Sequence, residues 1–212
     1  MIQEKKQNSS ILTNPFVIVI AITLILVVGG VFLLSQGSNQ KTATSSTQAT
    51  FEKLAPNFSL PATSGRKISL SDYKGKKNVL IYFNEGLSCD PCMQQVPELE
   101  KYTRDFNKMN VVVLTVMYDP VNQLKEAESR YNIKEIPMLS YHDANTDADY
   151  DLTSYSMAMG RRAGHTFVLV DKSGKVIWRK DYWPGQGMMV QGGVMFVSGS
   201  EIVTQVKKAL NI

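Results

Sequence analysis

The chain is poor in the residues that would staple it, or charge it strongly. Among 212 residues there are two cysteines and two histidines. Two cysteines exclude a disulfide-rich scaffold, so stability must come from a packed core. The formal net charge is +4, with acids and bases mixed along the chain and no basic stripe or arginine-rich arm. Nucleic acid is therefore not expected as a partner. His142 and His165 lack the close pairing of zinc-ligand histidines. There is no Gly-rich phosphate loop, no nucleophilic serine motif and no internal repeat.

Residues 15–34, PFVIVIAITLILVVGGVFLL, carry no charge over twenty positions. A helix of that length spans roughly 30 Å, the hydrocarbon thickness of a bilayer. A secretory signal would have a shorter apolar region and a small-residue cleavage site, and Ser35-Gln36-Gly37 resembles one only weakly. An uncleaved anchor is the preferred reading, ahead of a cleaved signal or a buried helix. Lys5 and Lys6 precede the span and Lys41 follows it. The positive-inside rule then puts residues 1–14 in the cytoplasm and the large domain outside. Residues 35–50, SQGSNQKTATSSTQAT, read as a flexible tether. Residues 51–212 are enough for one domain with a real hydrophobic core.

Within that domain the pattern alternates. Residues 78–83 (NVLIYF) and 111–117 (VVVLTVM) are short apolar runs, as buried strands should be. Val96, Leu99, Tyr102 and Phe106 are spaced as on one helix over 92–106, and residues 121–131 are charged and helix-prone. Residues 166–170 and 175–182 predict a hairpin turning at Asp171-Lys172-Ser173-Gly174. Residues 200–210 predict a closing amphipathic helix capped by Ser200. The order points to an α/β fold, a central mixed sheet with helices on both faces.

Both cysteines fall in one motif, Cys89-Asp90-Pro91-Cys92, between a buried strand and a helix. A helix N-terminus carries partial positive charge and unpaired N–H groups, which favour a thiolate, the attacking species. Two intervening residues let the second sulfur reach back to resolve a mixed disulfide. Pro91 suits the first helical turn, and Asp90 opposes thiolate formation as an adjacent negative charge. Three blander readings compete. A structural disulfide would close too small a loop to stabilise much. Zinc lacks further ligands at suitable spacing. Two inert core thiols would not account for the strand–motif–helix placement.

KNVLIYFNEGLSCDPCMQQVPELEK resembles the active-site region of thioredoxin-like proteins of the TlpA/ResA type, and of the related AhpC/TSA, peroxiredoxin-like, superfamily. Residues 55–60 (APNFSL) and 68–76 (ISLSDYKGK) resemble the lead-in both groups share. Pro97, five residues after Cys92, matches the proline that kinks the active-site helix of thioredoxins. Residues 165–174 (HTFVLVDKSG) resemble the later strand and turn. The resemblance implies a thioredoxin-like fold and a membrane-anchored thiol–disulfide oxidoreductase. Cys89 would be its exposed nucleophile and Cys92 its buried resolving thiol. It implies no bound cofactor beyond the redox-active disulfide. Its partners would be protein or small-molecule thiols and disulfides, recharged by a membrane or extracytoplasmic electron donor.

Several positions depart from the pattern. Ser88 stands where thioredoxins usually carry Trp. Gly86 stands where peroxiredoxins carry the Thr or Ser that orients peroxide, which counts against a thiol peroxidase. Glu85 reads as a solvated loop carboxylate, with a proton relay as the alternative. The cis-proline of thioredoxins has two candidate positions. Residues 133–138 (IKEIPM) mimic the segment around it, which favours Pro137. Using the 166–182 hairpin as the last two strands puts His165 there instead, and this alignment is preferred because it explains more of the chain. His165 would then tune the cysteines or serve as a rim residue. Trp178, Tyr182 and Trp183 read as packing residues. Met157, Met159, Met188, Met189 and Met195 admit copper(I) handling with Cys89, Cys92 and His165, as in Sco-type proteins on the same fold. Methionines more often fill packing gaps.

Overall fold

The computed structural model describes residues 53–157, 162–187 and 191–212. The expected cytoplasmic tail, membrane span and tether lie outside these residues, as do Met159, Met188 and Met189. Among the described residues no helix is long and apolar enough to cross a membrane.

The chain enters through a small antiparallel hairpin, β1 (Ser59–Pro61) and β2 (Lys67–Ser69), and passes to β3 (Asn78–Asn84). All seven residues of β3 are buried, as its unbroken apolar sequence requires of a strand covered on both faces. Helix α1 (Asp90–Glu100) and the short α2 (Thr103–Lys108) lead to β4 (Val111–Met117). Helix α3 (Val121–Tyr131) leads to β5 (Met138–Ser140). After α4 (Thr146–Asp149) come the antiparallel pair β6 (His165–Val170) and β7 (Val176–Asp181), then α5 (Gly199–Leu210). The main sheet runs β5-β4-β3-β6-β7, parallel among β3, β4 and β5 and antiparallel across β6 and β7. It is the mixed sheet of a thioredoxin-like α/β fold.

The helices are distributed less evenly than expected. Side chains of α1, α2, α3 and α5 join the cluster beneath Leu80, Tyr82, Phe167 and Leu169. Two right-handed crossovers that step the same way along the sheet put their helices on the same side. The opposite cluster, with Ile81, Phe83, Val168 and Val170, is closed by Phe58 and Leu60 from the entry hairpin and by Tyr150 and Leu152 around α4. Between β5 and β6 the sequence has no long apolar period, so a four-residue helix and turns do the covering.

Two other boundaries move. The helix expected over 92–106 breaks after Glu100: Tyr102 N–H bonds back to the Leu99 carbonyl and the Thr103 hydroxyl donates to the Glu100 carbonyl. These local bonds replace the next helical turn. Helix α5 is capped by Ser198, whose hydroxyl accepts the Glu201 N–H at 3.3 Å, not by Ser200. Glu98 accepts the Gly199 N–H at 2.9 Å, and a Cβ at Gly199 would strike the Tyr102 ring, so the helix is seated on α1 from its first residue.

Gln95 ties the same two helices together. Its buried amide accepts the Val197 N–H at 2.7 Å and donates to the Val197 carbonyl at 2.9 Å. Leucine would fill the volume and leave both backbone groups unpaired, at about 1–3 kcal/mol each. Gln95→Leu is expected to lower the unfolding free energy by about 2–4 kcal/mol. Urea denaturation checks this: the midpoint falls at unchanged slope, and an unmoved midpoint means the bridge contributes nothing.

Candidate active site

Strand β3 ends at Asn84, a buried amide that serves two masters. Its NH2 donates to the Thr115 hydroxyl of β4 at 3.0 Å, and its oxygen accepts the Gly86 N–H at 2.8 Å. That second bond turns the chain out of the sheet into a 3-10 turn, Gly86–Ser88. Gly86 has φ +69°, and a Cβ there would overlap the Asp119 carboxylate, so glycine is required on both counts.

Cys89 follows in extended conformation as the N-cap of α1, with Pro91 in the first turn. It is disulfide-bonded to Cys92, with Cα atoms 5.3 Å apart. The Cys89 sulfur accepts the Cys92 N–H at 3.2 Å. This first-turn N–H is thus aimed at the sulfur, where a thiolate gains from it. The contrast expected between an exposed Cys89 and a buried Cys92 is slight: Cys89 is 4% exposed and Cys92 wholly buried.

Glu85 is not the solvated loop carboxylate expected; it is 1% exposed. The turn that follows β3 folds back under the sheet end and takes the side chain inward. Two residues not singled out in the sequence hold that turn. Asp119, buried at the end of β4, accepts the Leu87 N–H at 3.1 Å. Arg162 donates to both Asp119 oxygens, at 2.9 and 3.0 Å, and to the Glu85 carbonyl at 2.6 Å. Burial works against the guanidinium charge, but Asp119 outweighs it and the Arg162 pKa is raised. Neither residue belongs to a local motif. The available signal was an arginine just ahead of a buried strand, which requires a partner.

Beneath Cys92 the surroundings are neutral and aromatic. The Tyr82 hydroxyl lies 2.9 Å from His165 Nδ1 and donates to the Cys92 carbonyl at 3.3 Å. His165 is enclosed by Tyr82, Phe167 and Tyr182, with ring centroids at 4.9, 5.5 and 5.8 Å. Burial pushes its pKa down to about 3 and raises that of Tyr82, so both stay uncharged. A carbonyl only accepts, so while Tyr82 donates to Cys92 the imidazole Nδ1–H donates to Tyr82, and buried Nε2 has no hydrogen-bond partner among the described residues. His165 is therefore not a rim residue.

Strands β6 and β7 complete the sheet, with His165 opposite Asn84 beside the strand that leads to the cysteines. Pro137 instead precedes edge strand β5, and the described residues contain no cis peptide bond. Trp183 is buried and Tyr182 packs on His165, as packing residues should. Among the described residues no group of three or more His, Cys, Asp or Glu side chains is placed to hold a metal ion. His165 Nδ1 is engaged by Tyr82 and both sulfurs are joined, so copper gains no support.

Residues 51–179 match the family model of the AhpC/TSA family. The chain is 35% identical over 104 residues to the thioredoxin-like protein YneN of Bacillus subtilis, covering 48% of this chain and 59% of that one. It is 28% identical over 131 residues to the putative peroxiredoxin bcp of Coxiella burnetii, covering 59% and 85%. Among solved structures, the reduced 2-Cys peroxiredoxin of Plasmodium vivax superimposes with a TM-score of 0.62 at 22% identity, over 76% of this chain and 97% of that one.

The buried imidazole makes stability depend on pH. The His165 pKa falls from 6.5 to about 3 on folding. Below 6.5 the unfolded chain takes a proton that the folded protein refuses. This contribution is complete above about pH 6.5 and is lost, at up to about 1.4 kcal/mol per unit, as pH falls toward 3. His165→Gln is expected to flatten the decline between about pH 6.5 and about pH 4 in urea denaturation. Parallel declines in the two proteins would exclude His165 as its source.

Proposed function

As the chain belongs to the AhpC/TSA family, we propose that it is a thiol–disulfide oxidoreductase working through Cys89 and Cys92. The observation that carries the reading is the disulfide at the N-terminus of α1, with Cys89 as the N-cap. In the reducing direction the Cys89 thiolate attacks a substrate disulfide, forms a mixed disulfide and expels one substrate thiolate. The Cys92 thiolate then attacks the Cys89 sulfur, releases the second thiolate and closes the Cys89–Cys92 bond. Two electrons pass to the substrate, and two protons from the dithiol accompany them. The oxidising direction is the reverse. No bound cofactor enters; a thiol or membrane electron donor recharges the pair.

The uncharged run at 15–34 and the weak lysine bias before it support an anchored domain on the outer side of the membrane, tethered through 35–50. Disulfide exchange has most scope there.

A second reading, a thiol peroxidase, is favoured by the match that spans 85% of the Coxiella burnetii peroxiredoxin. In that reaction Cys89 would attack a peroxide oxygen, break the O–O bond and expel an alcohol or water, and Cys92 would condense with the resulting sulfenic acid, releasing water and closing the disulfide. Gly86 offers no hydroxyl to orient the peroxide, and no side chain fits there.

Titration of the full chain in thiol–disulfide buffers, read by alkylation and mass, is expected to give a reversible two-electron couple that Cys89→Ser abolishes. A potential near or below about −250 mV marks a reductant and one above about −150 mV an oxidant. Cys92→Ala should accumulate a mixed disulfide with substrate. The absence of any reversible couple defeats the exchange reading; rapid peroxide consumption that requires Cys89 establishes the peroxidase.

A further inference from the structure

The turn that presents Cys89 is held at both ends by one ion pair. Asp119 accepts the Leu87 N–H at 3.1 Å, and Arg162 donates to the Glu85 carbonyl at 2.6 Å and to both oxygens of Asp119. Leu87 is two residues from Cys89, so the chain between them spans at most about 7 Å. The carboxylate therefore lies within about 10 Å of the Cys89 backbone. Asp119 is buried and Arg162 half-buried, so water screens their charges only in part. Gly86, between the two anchor points, leaves the carboxylate no side chain to push against.

We propose that Asp119 and Arg162 are positioning residues for the dithiol: they fix the turn before Cys89 and, as a balanced pair of charges, set the acidity of its thiol. The proposal rests on Cys89 being the reactive thiol, but its test needs no substrate. Among the described residues the other titratable groups nearby are Asp90 on its own helix, held by Tyr131 of α3, the buried Glu85, whose charge also acts on Arg162, and the uncharged Tyr82 and His165 beneath Cys92. None of these opposes Asp119 as Arg162 does.

A structural clamp and a charge balance make different predictions. Asp119→Asn keeps the shape and an acceptor for Leu87 but removes the carboxylate that grips the guanidinium, leaving only the field of Glu85 to oppose it, which favours the Cys89 thiolate. Arg162→Gln keeps hydrogen-bond donors but leaves the carboxylate uncompensated, which disfavours it. In the full chain carrying Cys92→Ser, so that one thiol titrates, the pH dependence of iodoacetamide alkylation reads the Cys89 pKa directly. The expected result is a pair of shifts in opposite directions, down for Asp119→Asn and up for Arg162→Gln, each on the order of half a unit or more. Arg162→Lys, which keeps the charge, should stay near the parent value. Shifts in the same direction, or none, overturn the proposal. Circular dichroism establishes that each variant folds. Should Asp119→Asn fail to fold, the comparison of Gln with Lys at position 162 decides alone, and equal values there overturn it. Should Arg162→Gln fail, Asp119→Asn decides, and an unlowered pKa overturns it. Loss of disulfide exchange with the opposite shifts intact would count against the function and leave the charge balance standing.

Discussion

Where β3 leaves the sheet, its backbone polar groups must find partners inside the protein, and the architecture around the cysteines follows from that need. A strand buried along its whole length cannot release its last N–H and C=O groups to water. The Gly86 N–H goes to the Asn84 side chain, the Leu87 N–H to Asp119, and the Glu85 carbonyl to Arg162 and the Ser88 hydroxyl. The Gly86 carbonyl takes the Cys89 N–H. Ser88 and Cys89 belong to the turn itself, but the other three partners come from the end of β3, the end of β4 and the approach to β6. The disulfide is thus presented by a turn whose geometry is set by the sheet, not by the loop's own preferences.

The two sulfurs consequently face unlike surroundings. On the Cys89 side there are formal charges and the open donors of a helix terminus. On the Cys92 side there are Tyr82, His165 and Phe167, packed ring on ring and uncharged. A thiolate is stabilised by donors and cations and destabilised by apolar burial. For the exchange proposed above, these surroundings suit Cys89 as the attacking sulfur and Cys92 as the one held back. That is the asymmetry dithiol exchange uses: one sulfur attacks, and the other waits as a thiol until a mixed disulfide brings it a target.

Much of this was legible in the sequence, and the remainder for physical reasons was not. Unbroken apolar runs located β3 and β4, the Asp171–Gly174 turn signal located the final hairpin, and the Cys-x-x-Cys spacing located the disulfide, because each is written in consecutive residues. Asp119 acts on the turn at Leu87 from 32 positions away, and Arg162 acts on it at Glu85 from 77 positions away. Nothing local marks them. Glu85 was misread because a polar residue in a turn is normally solvated; its burial depends on how the turn folds back. The cap of α5 moved to Ser198 because Glu98 and Tyr102, about a hundred residues earlier, decide where that helix begins.

The segment that mimics a thioredoxin cis-proline loop shows how tertiary partners override a local likeness. The N–H groups of Lys134, Glu135 and Ile136 all point to one oxygen of Glu100, at 2.9, 2.6 and 2.9 Å. Glu100 is the last residue of α1, so Pro137 is committed to the far end of the active-site helix. Tyr131, at the end of α3, bonds to Asp90 at the other end of α1 at 2.9 Å. The α3–β5 unit therefore clasps the active-site helix at both termini, and the sheet gains an edge strand in the process. Asp90, the one charge inside the Cys-x-x-Cys motif, is drawn toward Tyr131. A carboxylate sharing its charge with a phenol is a weaker opponent of a neighbouring thiolate than a free one. The unit that carries Pro137, the less favoured candidate, thus supplies a hydrogen-bond partner to the one charged residue of the motif.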